Sequence, residues 1–335
     1  MVGGLRFAVR MPVLLSENDV RVVLTMPDLI VAMEQALDLF SRGAVRQPLR
    51  SIVDVGGHGF YGVMPAFMSE PASLGTKLVT VFHGNDKRGL PSHLATIVLL
   101  DPETGALQAI LDGRYITEAR TAAVSAASAK HLARKDARVL AVLGSGVQAR
   151  SHLDAISHVR ELEEIRVWGR HRERAEALLK GVPPHVRGRL VTSPSPKEAV
   201  KDADIIALVT ASREPVVERP WIREGAHICA VGACRPDQRE MDTALVRDAR
   251  VFVDSRVGAL AEAGDIVIPI NEKAIDASHI AAELGDVFGG RAAGRRSDSE
   301  ITIFKSLGMA VEDVAAANLA FARASERGLG RGFVL

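Results

Sequence analysis

Cysteine is nearly absent from the chain: among 335 residues only Cys229 and Cys234 occur, with four residues between them. Two thiols exclude a disulfide framework, and no third is available to complete a thiolate zinc site, so no metal centre is expected and a reducing cytoplasm is the expected compartment. A surplus of one charge sign is also missing. The 42 Lys and Arg stand against 41 Asp and Glu, a formal net charge of +1, which gives neither nucleic acid nor an anionic membrane a bulk reason to bind. No apolar run approaches the roughly 20 residues that span a bilayer. The opening MVGGLRFAVRMPVLL is too short in its apolar stretch, and too interrupted by arginine, to read as a signal peptide. What remains is 47% hydrophobic and 25% charged, an ordinary soluble composition long enough for two domains with their own cores.

The chain changes rhythm along its length. Ser16 with Asp19 marks a helix start, Pro27 sits where a first turn tolerates it, and Leu29, Ile30, Met33, Leu37 and Phe40 recur at helical spacing before Gly43. From Arg50 to Asp112 short apolar runs (SIVDV, FYGVM, KLVTVF, LATIVLL, LQAIL) alternate with turns such as DPETG, which predicts a mostly antiparallel sheet. The alanine-rich TEARTAAVSAASAKHLA, 117–133, predicts a helix leading into a second domain. Beyond Arg138 strand and helix patterns alternate, which implies a parallel sheet with helices on both faces. ITIFKSLGMAVEDVAAANLAFARASERG reads as one long helix that returns to the first domain. GGRAAGRRSDS, 289–299, reads as a solvated connection. The expected fold is therefore α/β: a doubly wound parallel sheet over 117–304, inserted in a discontinuous α+β domain made of 1–116 and 305–335.

Gly144-Ser-Gly146-Val-Gln-Ala149 follows the apolar run VLAVL and opens a helical pattern. The first glycine permits a tight turn, the second lets backbone approach a pyrophosphate, and the small Ala149 lets helix and strand pack closely; the helix N-terminus offers free N–H groups to the anion. In that context the turn is for a dinucleotide. The second strand of such a fold usually ends in a carboxylate for the ribose 2′-OH, but here the chain reads Trp168-Gly169-Arg170-His171-Arg172. Two guanidiniums suit a 2′-phosphate, so NADPH is expected in preference to NADH. Cofactor contacts are expected from Gly144, Gly146, Val147, Gln148, Gly169, Arg170, Arg172, Val209, Thr210 and Val231.

On the substrate side, Arg50, Lys77 and Arg120 lie on different elements. A lysine in the middle of an apolar strand is costly to bury, so Lys77 either reaches an edge or faces a polar cleft holding an anion. His83 and the pair Ser92-His93 carry less information, since a lone histidine is usually structural. The loop Val231-Gly232-Ala233-Cys234-Arg235-Pro236-Asp237 leaves a parallel strand at its carboxyl end, where ligands bind in this architecture. VTASREP, 209–215, leaves another. Glu262 and Glu283 could each offer a carboxylate to the cleft.

GVMPAFMSE, TKLVTVF, PSHLATIVLLDPETG, ITEARTAAVSA, LGSGVQARSH, GAHICAVGACRPDQREMD and FKSLGMAVEDVAAA, in that order along nearly the whole chain, resemble the ornithine cyclodeaminase/mu-crystallin family, and most of all its ketimine reductase branch. The resemblance implies a Rossmann domain inserted in a second domain whose sheet mediates a homodimer. It also implies that Arg50, Lys77 and Arg120 bind a substrate carboxylate, that Ser92, Thr121 and Ser306 lie near the cofactor, and that Arg170 and Arg172 belong to a turn associated with NADPH.

One departure bears on the reaction. Cyclodeaminases and the related alanine dehydrogenases resemble each other in an aspartate after the strand matching HICAVG, whereas this chain has Gly232-Ala233-Cys234. A carboxylate there can serve as the general base that ammonia loss or imine hydrolysis requires; a neutral thiol is a poor substitute. Asp237 stands at a different offset. The expected activity is NADPH-dependent reduction of small cyclic imino acids, Δ1-pyrroline-2-carboxylate or Δ1-piperideine-2-carboxylate, to L-proline or L-pipecolate. Lys77, Cys234 and Glu262 are the catalytic candidates, with the proton donor left open among Lys77, Glu262 and water. The alternatives are an ornithine cyclodeaminase or amino-acid dehydrogenase, and an NADPH-dependent thyroid-hormone-binding or crystallin-like protein.

Overall fold

The computed structural model describes residues 11–334. The stretch MVGGLRFAVR, weighed above as a leader, lies outside them. The first helix, Glu17–Val23, starts as expected: the Ser16 hydroxyl accepts from Asp19 N while the Asp19 carboxylate accepts from Ser16 N, a reciprocal cap. A second helix follows at once, Met26–Ser41, capped by Thr25 and with Pro27 in its first turn.

The first sheet takes β1 (Val13–Leu15), β2 (Val45–Arg46), β3 (Ser51–Asp54), β4 (Gly59–Ser69), β5 (Ala72–Phe82), β6 (His93–Leu100) and β7 (Leu107–Asp112). Its partners are antiparallel except β1 with β7, which run parallel. Burial alternates along β4 and β5, so one face is covered and the other is not. On the covered face Met64, Ala66, Met68, Lys77 and Val79 are buried. The DPETG turn between β6 and β7 closes on Asp101, whose Oδ1 accepts from the backbone N of Glu103 and Thr104.

Helix Arg114–Leu132 leads into the second sheet: β8 (Val139–Leu143), β9 (Glu164–Trp168), β10 (Arg189–Thr192), β11 (Ile205–Leu208), β12 (His227–Ala230), β13 (Arg250–Val253), β14 (Ile280–Glu283) and β15 (Thr302–Lys305). All its pairings are parallel, in the order β10-β9-β8-β11-β12-β15-β13-β14. β11, β12 and β15 are buried at every residue, as strands covered on both faces must be. The order reverses between β8 and β11, which sets the ligand crevice at their carboxyl ends. A last strand, β16 (Arg331–Gly332), returns to β1 of the first sheet. Among the described residues no helix is long and apolar enough to cross a membrane.

One expectation fails here. Residues 301–328 are not one helix: Thr302, Ile303 and Phe304, β-branched or aromatic, form β15 between β12 and β13. Gly308 then takes a φ of +77° that halts regular structure, and the closing helix spans only Ala310–Glu326. That helix packs against β4, β5 and β6. The segment 289–299 is a mostly exposed connection, as expected, with one inward anchor. Arg295 reaches inward, donating to the carbonyls of Leu132 and Ala226 and to Thr302 Oγ1, so its guanidinium ties the loop to helix 114–132 and to the strands.

Candidate active site

The glycine turn is built as its sequence requires. Gly144 has a φ of +133°, and a Cβ on it would come within 2.8 Å of Val209 O on the neighbouring connection; its N–H donates to Trp168 O. Gly146 is the N-cap of helix Val147–Ser157 and has no side-chain cap, and a Cβ there would meet nothing within 4 Å. The one glycine is needed for packing. The other leaves a cradle at an uncapped helix N-terminus, which fits a pyrophosphate. Beside it a cavity of about 230 Å³ is lined by Gly144, Ser145, Trp168, Gly169, Arg170, His171, Arg174, Val209 and Thr210 among others. Gly169 is close-packed, since a Cβ would lie 2.6 Å from Ser145 Oγ. Arg170 is thus in the cavity wall. Arg172 is not: it is exposed and pairs with Glu176 one turn along its helix at 2.8 Å, while Arg174 takes the position in the wall. Helical geometry explains the difference, because residues two apart on helix Arg172–Lys180 face different ways.

The connections leaving β11 and β12 are fixed from behind by a buried carboxylate that sequence reading missed. Glu240 is fully buried; its Oε1 accepts from Thr210 N and Oγ1, and its Oε2 from the N–H groups of Gly232 and Ala233. Burial pushes its pKa up to about 7, against the pull of Lys305. Lys305, at the end of β15, is itself fully buried and donates to Ala233 O and to Asp265 Oδ2 at 2.9 Å. Gly232 has no alternative here, as a Cβ would collide with Thr210 O. Cys234 at the tip is half-buried, its thiol donating to Val231 O at 3.2 Å and held protonated by burial, which raises its pKa. Asp237 is exposed and pairs loosely with Arg213, at 3.8 Å.

The three cations do converge. Lys77 is only 2% exposed and points to the covered face of the first sheet, its Nζ 2.5 Å from Asp313 Oδ2. Arg120, also buried, donates through Nε to Asp313 Oδ1 at 2.9 Å and through Nη1 to Glu312 Oε2 at 2.5 Å. Arg50 lies 3.0 Å from Glu262 Oε2 and donates to Leu307 O. The turn 306–309 joins these groups to the second sheet, because Asp254, just past β13, accepts from the N–H groups of Leu307 and Gly308. A Cβ on Gly308 would lie 2.5 Å from Arg120 Nη1. The cations of the first sheet therefore meet the carboxyl edge of the second, where the cofactor crevice opens.

Electrostatics in this cluster follow from its dryness. Burial lowers the Lys77 pKa to about 8, with Arg120 and Arg50 adding to the effect and Asp313 opposing it. For Asp313, burial raises the pKa but Arg120 and Lys77 outweigh it, and the carboxyl stays below its ordinary range. Glu312 goes the other way: burial, with Asp254 and Asp313 nearby, lifts it to about 7 despite Arg120, and its Oε1 has no partner. His93, on β6, is held neutral by burial and by Lys77 and Arg120, at about 4.

Of the other expected positions, Glu283 lies outside this cluster. Glu283 accepts from Arg256 N and Ser41 Oγ and is a brace between helices, not a cleft carboxylate. Ser92 is exposed ahead of β6, and His83 is exposed as well. Thr121 and Ser306 are buried; the Thr121 hydroxyl donates to Thr117 O within its own helix, and Ser306 N donates to Ala230 O. Asp313, Glu312, Asp254, Glu240, Asp265 and Arg174 were not singled out from sequence. The pair Glu312-Asp313 inside an otherwise alanine-rich apolar helix, and Lys305 at the end of ITIFK, carried the same kind of signal as Lys77.

The family model of the ornithine cyclodeaminase/mu-crystallin family matches residues 10–328. The chain belongs to that family. It is 43% identical to the ketimine reductase mu-crystallin of Rattus norvegicus over 317 residues, covering 93% of this chain and 97% of the relative. It is 35% identical to a Delta(1)-pyrroline-2-carboxylate reductase of Bacillus cereus, covering 94% and 98%. Among solved structures, the Thermococcus litoralis Delta(1)-pyrroline-2-carboxylate reductase in complex with NADH and L-proline superposes with a TM-score of 0.93 at 40% identity, over 96% of this chain and all of that one. An archaeal alanine dehydrogenase dimer with bound NAD has a TM-score of 0.90 at 30% identity, over 97% and 99%. Like these family members, the chain is a nicotinamide-dependent oxidoreductase, with a Rossmann-type unit.

Proposed function

We propose that this enzyme reduces small cyclic imino acids bearing an α-carboxylate, Δ1-pyrroline-2-carboxylate and Δ1-piperideine-2-carboxylate, to L-proline and L-pipecolate, with NADPH preferred over NADH. The observation that carries this reading is the convergence of buried Lys77 and Arg120 with Arg50 at the turn 306–309. A set of cations held dry, beside a crevice for a dinucleotide, is suited to a small anion. Its likeness to a ketimine reductase and to Δ1-pyrroline-2-carboxylate reductases supports the same substrate class. In this reading 1–116 with 305–335 forms the substrate and dimerisation unit, 117–304 the cofactor unit, and the enzyme works as a homodimer in the cytoplasm.

Gly146 and the first turn of helix Val147–Ser157 would hold the pyrophosphate, and Gly169, Arg170 and Arg174 the adenosine side. When bound, a reduced nicotinamide supplies the hydride. The chain's own contribution is orientation. Arg50 exchanges its Glu262 partner for the substrate carboxylate, and Lys77 and Arg120, anchored by Asp313, fix the imino acid in one pose. Lys77, with a pKa of about 8, keeps its proton at neutral pH yet can release it toward the imine nitrogen. Cys234 stays neutral and offers no general base, which suits reduction of a preformed ring and disfavours ammonia loss.

Loss of reduced-cofactor absorbance with a panel of five- and six-membered cyclic imines, run beside ornithine, tests the reading. Turnover of the imines and none of ornithine is expected; rapid ammonia release from ornithine with idle imines overturns it. Arg50→Ala is expected to raise the KM for the imine about 10–100-fold while the KM for NADPH stays within about twofold; equal effects on both would remove Arg50 from the substrate site. Replacing Arg170 and Arg174 with serine together should raise the KM for NADPH about tenfold or more and leave that for NADH nearly unchanged. A wild-type enzyme that already favours NADH would refute the cofactor preference outright.

A further inference from the structure

Away from the crevice, Asp154, His158 and His185 form a cluster that the reaction does not use. Asp154 and His158 stand one helical turn apart at the end of helix Val147–Ser157, and His185 comes from the connection that follows helix Arg172–Lys180. Both imidazoles turn their Nε2 to the same oxygen, Asp154 Oδ1, at 3.3 Å from His158 and 2.9 Å from His185. The rings stack with centroids 4.3 Å apart at 28°, and the three ligand atoms lie within 4.8 Å of one another. The backbone next to His185 is anchored: Val186 N donates to Pro183 O, and Val186 itself is buried.

We infer that this cluster is a binding site for a divalent transition-metal ion of the zinc class. Two imidazole nitrogens and one carboxylate oxygen are the donors that Zn²⁺, Ni²⁺ and Cu²⁺ select, whereas Mg²⁺ and Ca²⁺ take oxygen ligands. With both histidines neutral the cluster carries a single negative charge, and the C-terminal end of the helix adds a partial negative charge of its own. Partial exposure leaves room for water to complete the coordination. The ion joins the far end of the helix that begins at Gly146 to the connection entering β10, roughly 16 Å from the cofactor turn by helical rise. Its role is therefore to clamp the cofactor helix, not to take part in chemistry. Little in the sequence points to it, because His185 lies in a different loop from the Asp154-x-x-x-His158 pair.

The test is a calorimetric Zn²⁺ titration of the metal-stripped full-length protein, repeated with Mg²⁺ and with the variants His158→Gln and His185→Gln. One saturable equivalent of Zn²⁺ and no uptake of Mg²⁺ are expected, with each substitution weakening Zn²⁺ binding by about tenfold or more. Zn²⁺ at about 100 times its Kd should raise the Tm of the wild type by about 4 °C and that of either variant by about 2 °C or less. Because the substituted side chains are at the surface, unliganded variants should melt as the wild type does, which separates loss of the site from loss of the fold. Absence of saturable uptake, or a Zn²⁺ affinity that either substitution leaves unchanged, overturns the assignment.

Discussion

Replacing Asp313 with asparagine is expected to lower the free energy of unfolding by about 3–5 kcal/mol at pH 7 and to reduce kcat/KM for the cyclic imine about 100-fold or more. The side chain is fully buried and faces two buried cations at once, Lys77 at 2.5 Å and Arg120 at 2.9 Å. Asparagine keeps the shape and removes the charge, so Lys77 and Arg120 are left with Glu312, whose carboxyl burial already draws toward neutrality. The shift at Lys77 gives the loss a pH signature. Its pKa in the folded protein, about 8, lies below the ordinary lysine value of 10.5, so between these values the unfolded chain binds more protons than the folded one. Stability from this group therefore rises with pH from about 8 toward 10.5, and falls away as pH drops through 8. Without Asp313 the folded-state pKa moves lower still, and the relief on raising pH begins earlier. Denaturant unfolding of both proteins at pH 7 and pH 9 measures this: the deficit of the variant should shrink at the higher pH. A deficit under about 1 kcal/mol, the size of an exposed pair, or one that grows with pH, would mean that Asp313 does not hold the two cations.

The second large effect separates folding from cofactor binding at a single methyl group. Gly146→Ala is expected to leave the melting transition unchanged, because Gly146 has an ordinary negative φ of −93° and a Cβ there meets nothing within 4 Å. It should nevertheless weaken NADPH binding by about 10–100-fold, since the methyl fills the space through which a pyrophosphate reaches the helix N–H groups. Gly144→Ala is the contrasting control: with φ at +133° and Val209 against it, that change should destabilise the protein as well. Fluorescence titration of the cofactor, beside thermal melts, reads both quantities. Unaltered affinity in Gly146→Ala would place the pyrophosphate elsewhere.

The parts of this molecule legible from sequence are those governed by local rules. The glycine spacing at 144–149, the alternation that made β4 and β5, and the cap at Ser16 each depend on a few adjacent residues, and all are found as read. Lys77 stands out because a charge in an apolar strand is costly wherever it lies. What escaped were the partners that make such charges tolerable. Asp313 is 236 positions away from Lys77 and Asp265 is 40 from Lys305, so their pairing depends on packing that no window of sequence contains. The choice between Arg172 and Arg174 is hidden for a related reason: which of two arginines faces a cavity is set by the phase of a helix, not by its composition. Thr302–Lys305 reads as helix in sequence because the long helical pattern after it runs back over four strand residues.

The position of β15 bears on how the polypeptide assembles during translation. It is the last strand of the parallel sheet to be synthesised, yet it lies inside that sheet, between β12 and β13. Until Lys305 has cleared the ribosome, the nascent chain carries two open strand edges facing a gap, the kind of surface on which neighbouring chains aggregate. The cofactor crevice can thus be completed only late in synthesis, almost together with the closing helix that brings Asp313 to Lys77.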